Sequence, residues 1–236
     1  MKRRIFSLLF VLMFCITGAF GKQKTPEPTD FQPDAVIDTE APNPLYPSRY
    51  TAEYIKEIKK NYKKAAKDEI FIVALDLLTG TVGDYSQKAI LGNNLSLKPV
   101  SIQFKDLKTV NPAYESFDAV GWKHGSKLRI FVNEKHKEAP AIAIAALLAH
   151  EAIHQDEYNS LVEETYAWTM EAAVWTELTE KYDDYEIPAG SLVQRENTLK
   201  KMFKQGNYTN KYIKKSVMQN SGYKNLPSYS PGFEDL

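Results

Sequence analysis

Cysteine is nearly absent from this sequence. The only one among 236 residues is Cys15, which lies inside an apolar N-terminal stretch typical of a signal peptide. Removal of that stretch leaves a chain without thiols, so neither a disulfide nor a thiolate metal site can form in it. Any metal ion must then be held by histidine and carboxylate side chains.

The N-terminal apolar run is also too short to span a bilayer comfortably. Basic residues at positions 2–4 precede it, and small residues at 17–21 suit a signal peptidase. We therefore predict a signal peptide over residues 1–21 and an exported protein, periplasmic or extracellular, with no stable membrane anchor after cleavage. An uncleaved N-terminal anchor is the alternative. Phe14 directly before Cys15 argues against lipidation, because a lipoprotein signal needs a small residue there.

The chain also has no excess of positive or negative charge. The chain has 30 basic and 30 acidic side chains, and loss of the three basic residues at positions 2–4 leaves a slightly acidic mature chain. No basic stripe is interleaved with aromatic residues, so we expect no nucleic-acid partner. The lysines at 56–67 alternate with apolar residues at helical spacing and are expected on the solvent face of a helix.

Two parts follow the expected signal peptide. Residues 22–47 contain six prolines and few large apolar groups, which predicts a flexible linker. Residues 48–236 suffice for one domain with a single core, and no internal repeat is present.

The periodicity of the apolar residues predicts an α+β fold with a small mixed or antiparallel sheet and a helical C-terminal part. The predicted elements are a helix over 49–69, a buried helix or strand over 70–78 (with helix favoured), a strand over 99–107, a hairpin of 119–122 with 128–132, and helices over 191–204 and 209–219.

Histidine is scarce, yet two of the four histidines lie in the pentapeptide His150-Glu151-Ala152-Ile153-His154. The alanine-rich and aliphatic run over residues 140–155, which includes this motif, predicts a helix that opens at Pro140 and is buried on most sides. Histidines four residues apart share one face of a helix and can grip one ion, while Glu151 can take a proton from a bound water. We predict a site for one Zn²⁺ per chain with Glu151 as general base. A pair of solvated helix histidines is the alternative.

A catalytic zinc ion needs a third protein ligand. His124 and His136 qualify by type, but a hairpin tip and a polar loop predict that both are exposed. Ser160 followed by Glu163 is a capping box, which predicts the start of a second helix. Capping gives Glu163 a local role and leaves Glu164 free to bind the metal, so Glu164 is the favoured third ligand and Glu163 the alternative.

Residues farther along the second helix share the face of Glu164. Glu171 either orients a ligand histidine or lies exposed, and Trp168 and Trp175 are expected in the core or in the wall of a pocket. A group that stabilises a transition state should also exist. The available tyrosines, which their spacing does not distinguish, are Tyr166, Tyr208, Tyr212 and Tyr223.

The motif His150-Glu151-x-x-His154, followed by a helix bearing Glu164-Thr165-Tyr166-Ala167, resembles the gluzincin branch of the zincin metallopeptidases over about residues 117–180. The resemblance implies a zincin-like fold in which an edge strand, resembled by residues 128–133, pairs with a peptide or protein substrate. It also implies hydrolysis of peptide bonds by metal-activated water. The spacer between His154 and Glu164 is shorter than in the best-known gluzincins, so the two helices must turn sharply. Ser160 excludes the metzincin-like pattern.

Two other readings follow from the same residues. An exported zincin-like protein that binds zinc or a partner without turnover is favoured if Glu151 is held in a salt bridge or the cleft is filled. A di-iron site in a helix bundle needs a second Glu-x-x-His motif. Gly121 and Asn133 stand three residues before the other two histidines, which excludes that motif.

Overall fold

The structure is a computed structural model that describes residues 43–234. The expected signal peptide (1–21) and the expected linker up to residue 42 lie outside the described residues. The described helices are α1 (Ala52–Tyr62), α2 (Glu69–Leu77), α3 (Asp84–Leu91), α4 (Ala141–Glu151), α5 (Leu161–Lys181), α6 (Ser191–Gln205) and α7 (Lys211–Gln219), and the strands are β1 (Ser101–Lys105), β2 (Ala119–His124) and β3 (Lys127–Asn133). The predicted α+β class is confirmed. Within this part of the chain, no helix has the length and apolar character needed to cross a membrane.

The three strands form one mixed sheet in the order β1-β3-β2. The β2–β3 hairpin is antiparallel, as predicted, and β1 pairs with β3 in parallel. The central strand is therefore β3, and the expectation that residues 128–133 form the edge strand is wrong. Its burial shows why. Leu128 and residues 130–133 are buried, so side chains on both faces of the strand lie inside the protein. Such a strand is typical of the centre of a sheet. Both β1 and β2 are edge strands, and β2 is the one that packs against α4.

The core is built around α4. Every residue of this helix is buried, since α2 packs on one side, α5 on another, and β2 lies across its C-terminal part. Because the helix is central, all of its faces are apolar. The run at 70–78 is the helix α2, as favoured, and it is likewise buried along nearly its whole length.

The first helix is shorter than predicted. Thr51 begins α1 by accepting a hydrogen bond from the Tyr54 N–H, and the helix ends at Tyr62 instead of continuing to 69. The helix ends there because α1 is amphipathic and lies at the surface, whereas the apolar α2 packs inside the core.

Residues 43–47 fall within the predicted linker but contact the fold. The Leu45 carbonyl accepts a hydrogen bond of 2.8 Å from the Ala141 N–H at the start of α4. The Tyr185 hydroxyl donates to the Pro44 carbonyl at 2.7 Å, and Tyr46 is buried. This segment thus satisfies a free N–H at the beginning of the central helix.

Helix α3 has no counterpart in the sequence-based prediction. It has only eight residues and a weak apolar pattern, so periodicity alone does not reveal it. Its fully buried Ser86 donates a hydrogen bond of 2.9 Å to the Ala149 carbonyl in the last turn of α4. This contact caps a carbonyl beside the histidine motif and fixes the end of α4.

Candidate metal centre

The histidine motif lies where α4 ends. His150 and Glu151 are the last two residues of the helix, whereas His154 follows in the turn after it. The predicted helix to residue 155 is therefore too long. The Ile153 N–H bonds the His150 carbonyl at 3.0 Å, which tightens the last turn. The two imidazole rings nevertheless stay close, with centroids 5.3 Å apart.

The early end of α4 brings the next helix to the motif. Ser160 caps α5 by accepting a hydrogen bond of 3.1 Å from the Glu163 N–H, as predicted. Glu164 in the first turn then faces both histidines. Its Oε2 lies 3.8 Å from His150 Nε2, and its Oε1 lies 3.8 Å from His154 Nε2. The three side chains form a buried group that could hold one metal ion, with one ligand atom from each within 4.8 Å of the others.

The chemistry of this group fits a cation. Ligand atoms around a tetrahedral Zn²⁺ lie about 3.3–3.5 Å apart, given bond lengths of about 2.0–2.2 Å. The three ligand atoms here lie within 4.8 Å of one another, so the side chains would move closer together to bind the ion. Oε2 of Glu164 is buried and has no hydrogen-bond partner among the described residues. An unpaired buried carboxylate oxygen is costly, and a cation between the three side chains would be its partner. Oε1 accepts from Asn159 Nδ2 at 2.6 Å, which orients the carboxylate.

A second carboxylate stands behind each histidine. His150 Nδ1 lies 2.9 Å from Glu171 Oε2, and His154 Nδ1 lies 2.9 Å from Glu163 Oε1. A carboxylate at Nδ1 holds a proton there, so Nε2 is the nitrogen that can bind a metal ion once it has given up its own proton. Both Nε2 atoms point to Glu164. The arrangement thus presents two imidazole nitrogens and a carboxylate oxygen to one point.

Glu163 has a different role from the one predicted. Its N–H is capped by Ser160, but its carboxylate does not return to the helix start, where the Ser160 N–H instead donates to Asn159 Oδ1 at 2.7 Å. The carboxylate of Glu163 contacts His154. Burial would lower the pKa of His154, but the hydrogen bond to Glu163 and the nearby negative charges raise it to about 9.

Glu171 is completely buried, so the alternative that it lies exposed is wrong. Arg195 on α6 bonds both of its carboxylate oxygens, with Nη2 at 2.8 Å from Oε2. Burial alone would raise the pKa of Glu171, but the charge of Arg195 and the hydrogen bond to His150 lower it. Glu171 therefore remains an anion beside His150. Sequence reasoning did not reveal Arg195, because it lies on a separate helix 24 positions along the chain.

Arg195 extends this network to Asp118, whose Oδ2 lies 3.4 Å from Nε. Asp118 Oδ1 in turn bonds His136 Nε2 at 2.7 Å. The expectation that His136 is exposed is wrong, since only 2% of it is accessible, whereas His124 is exposed as predicted. Neither histidine joins the metal group. His136 is buried because Asp118 gives its ring a partner inside the fold.

Glu151 stands beside the group with its carboxylate free. Within residues 43–234 no salt bridge or hydrogen bond engages it. Burial raises its pKa, and the negative charges of Glu164 and Glu171 add to this, although the two histidines oppose it. A carboxyl group with a raised pKa is a better proton acceptor than an ordinary surface glutamate.

One of the four candidate tyrosines reaches the site. Trp168 Nε1 donates a hydrogen bond of 3.2 Å to the Tyr223 hydroxyl. Burial and then the negative charge of Glu164 raise the pKa of Tyr223, so the phenol keeps its proton at neutral pH. Tyr166, Tyr208 and Tyr212 are each at least 40% exposed. No sequence signal singles out Tyr223, because a turn after α7 brings it there from far along the chain.

The edge strand β2 passes directly over the motif at Gly121. A Cβ atom at this position would lie 3.1 Å from His154 Cβ and 3.2 Å from the Glu151 carbonyl oxygen. A side chain here would be in tighter contact than packing normally allows, so glycine permits the close approach of the strand. The β2 edge of the sheet therefore lies beside the metal group.

Comparisons with models of known protein families, with curated proteins and with solved structures find no match to this chain.

Proposed function

We propose that this protein is a secreted zinc metallopeptidase of the gluzincin-like zincin type. The observation that carries the proposal is the paired arrangement of His150 with Glu171 and of His154 with Glu163, which turns both Nε2 atoms towards Glu164. Two imidazoles and one carboxylate are a common ligand set of catalytic zinc, and residues 43–234 contain no cysteine that could supply a thiolate. Three protein ligands leave a fourth position for water.

Bound zinc would polarise the substrate carbonyl and lower the pKa of a coordinated water. Glu151, which no other described group engages, accepts a proton from the attacking water and delivers it to the leaving amine. Tyr223 keeps its hydroxyl proton and can donate it in a hydrogen bond to the oxygen that gains charge in the transition state. Glu163 and Glu171 hold the two histidines in the required orientation.

The substrate is an extended segment of peptide or protein that pairs with β2. This strand has β3 on one side only, and main-chain groups on its other side can bind an added strand. Gly121 brings that edge against the residues that carry out hydrolysis.

A second candidate, an exported protein that binds zinc without turnover, is favoured by the depth of the site. The side chains of His150 and Glu164 are each only 6% exposed, and that of His154 is 13% exposed. Against this candidate, Glu151 is unengaged, and the metal group has three members where structural zinc sites usually have four.

Metal analysis by mass spectrometry, combined with a peptide-library cleavage assay, tests the proposal. We expect about one zinc per chain in the purified protein, lost in His150→Ala and Glu164→Gln but retained, more weakly, in Glu163→Gln. Glu151→Gln should retain zinc and lose about 10²- to 10⁴-fold in hydrolysis. A folded protein that was never exposed to chelator and contains no zinc would contradict the metal site. Zinc without cleavage of any library peptide would favour the second candidate.

A further inference from the structure

The C-terminal segment packs over the start of α5. The Pro227 carbonyl accepts from the Leu161 N–H at 2.9 Å, and the Ser228 carbonyl accepts from the Val162 N–H at 3.2 Å. The first N–H groups of a helix have no partner within it, so residues 227–233, the C-terminal clasp, satisfy two of them. Farther along, Phe233 packs edge-on against the Tyr166 ring at 6.1 Å between centroids.

Ser230 is the one serine of this clasp that enters the interior. It is 5% exposed, whereas Ser228 lies at the surface. Its Oγ donates a hydrogen bond of 2.6 Å to Glu163 Oε2 and lies 3.0 Å from Ser160 Oγ. The other oxygen of Glu163 contacts His154 Nδ1 at 2.9 Å. A chain of hydrogen bonds therefore runs from Ser230 through Glu163 to His154.

Ser230 decides where the Glu163 carboxylate can point. Glu163 is only 3% exposed, so water cannot readily replace a lost partner. Without the Ser230 hydroxyl, Oε2 would be buried and unpaired, and the carboxylate would gain by rotating away from His154. His154 lies in a turn outside α4, which makes its ring orientation more dependent on Glu163 than that of a residue inside the helix.

We propose that Ser230 is a positioning residue of the metal centre, and that the C-terminal clasp sets the affinity of the site through Glu163 and His154. This inference rests on the proposed zinc site. The start of α5 and the Tyr166 ring contact the segment that supplies Ser230, so the clasp links the site to residues 227–233.

Zinc affinity, measured by competition with a chelator, tests the proposal in Ser230→Ala, with Ser228→Ala as the matched control. We expect a 10- to 100-fold loss of affinity in Ser230→Ala, which is typical for removal of a group that supports a metal ligand. Ser228→Ala should bind zinc as the unmutated protein does. The visible absorption spectrum of the Co²⁺ form should change in Ser230→Ala alone, since it reports the ligand geometry and not the overall stability.

The double variant Ser230→Ala/Glu163→Gln separates positioning from a merely structural role. If Ser230 acts through Glu163, the double variant should bind zinc no more weakly than Glu163→Gln. Should Ser230→Ala fail to fold, zinc affinity can be measured in Ser230→Cys, which retains a weak donor of similar size. Its zinc affinity should be lower than that of Ser228→Ala. Unchanged affinity and an unchanged Co²⁺ spectrum in Ser230→Ala, or additive losses in the double variant, would overturn the clasp proposal alone. An unmutated protein that binds no zinc would overturn the proposed function as well.

Discussion

Protons on two imidazole rings determine what the centre can bind. Glu163 and Glu171 each face an Nδ1 atom, so both rings offer Nε2 to the same point. Glu171 must stay ionised to hold its ring, although it is fully buried. Arg195 makes this possible by pairing with both carboxylate oxygens. Nearby, Glu196 is also fully buried, and burial and the charge of Glu171 raise its pKa, which favours its neutral form.

Arg195→Gln leaves the Glu171 anion buried without its counter-charge, so we expect a loss of about 3–5 kcal/mol in the free energy of unfolding. Zinc affinity should fall about 10- to 100-fold, because His150 loses its orienting partner. Chemical denaturation and chelator competition measure the two effects. Lys201→Gln is the control, since Lys201 is exposed on the same helix and forms no salt bridge within residues 43–234. Equal effects of both substitutions would contradict the role given to Arg195.

Among the elements, the β2–β3 hairpin and the end of α4 are the most closely fitted. Gly121 is the point of contact, where the edge strand meets the Glu151 carbonyl and the Cβ of His154. A strand carrying a side chain here would have to move away from the motif, or His154 would have to move instead. Close packing makes such shifts costly.

Gly121→Ala should therefore lower stability by about 1–3 kcal/mol and weaken both zinc binding and peptide cleavage. The cause is a Cβ contact tighter than packing normally allows, since the backbone here does not need a positive φ. Gly190→Ala is the matched control, because the space around Gly190 is open. Thermal unfolding, metal content and cleavage rate should all be measured on both variants. A Gly121→Ala protein that matches Gly190→Ala in all three would show that β2 does not press on the site.

Local patterns in the sequence predicted the elements with the clearest periodicity. The buried runs of α2 and α4, the hairpin, α6 and α7 all follow from apolar spacing, and the start of α5 follows from Ser160. The short α3 and the early end of α4 carry no comparable signal. The position of β3 between two strands depends on β1, which comes from earlier in the chain, so local alternation does not reveal it.

The same contrast holds for the metal group. His150, His154 and Glu164 could be named because their spacing is local, and Glu171 because it shares a helix face with Glu164. A capping box predicts the Glu163 carboxylate at the helix start, and no local pattern indicates its contact with His154. Arg195, Tyr223 and Ser230 arrive through tertiary packing, which no spacing rule encodes.

For the whole molecule, Asp118 joins parts that are distant in the chain. It bonds His136 after β3 and lies beside Arg195 on α6, and it also pairs with Lys135. Burial would raise the pKa of Asp118, but the hydrogen bond to His136 and the charge of Arg195 lower it. A carboxyl group with a lowered pKa in the folded state stabilises the fold above its unfolded pKa of about 4, and this contribution is lost as the pH falls through the folded value.

Asp118→Asn should accordingly lower the free energy of unfolding by about 2 kcal/mol at pH 6. The difference from the unmutated protein should shrink as the pH falls below about 4, where Asp118 becomes protonated in the unfolded chain and then in the folded one. Urea unfolding between pH 3 and pH 7 measures this dependence. Asp183→Asn, at an exposed position, is the control and should show little effect. A difference that stays constant down to pH 3 would contradict the assigned role of the Asp118 charge.

The three metal-facing side chains, the free glutamate and both orienting carboxylates all lie between positions 150 and 171. One short tract of codons therefore encodes the inner part of the centre, while Arg195, Tyr223 and Ser230 come from farther downstream. Substitutions within the tract are expected to create or abolish the metal group, whereas substitutions at the distal positions are expected to change how tightly an unchanged set of ligands binds a metal ion.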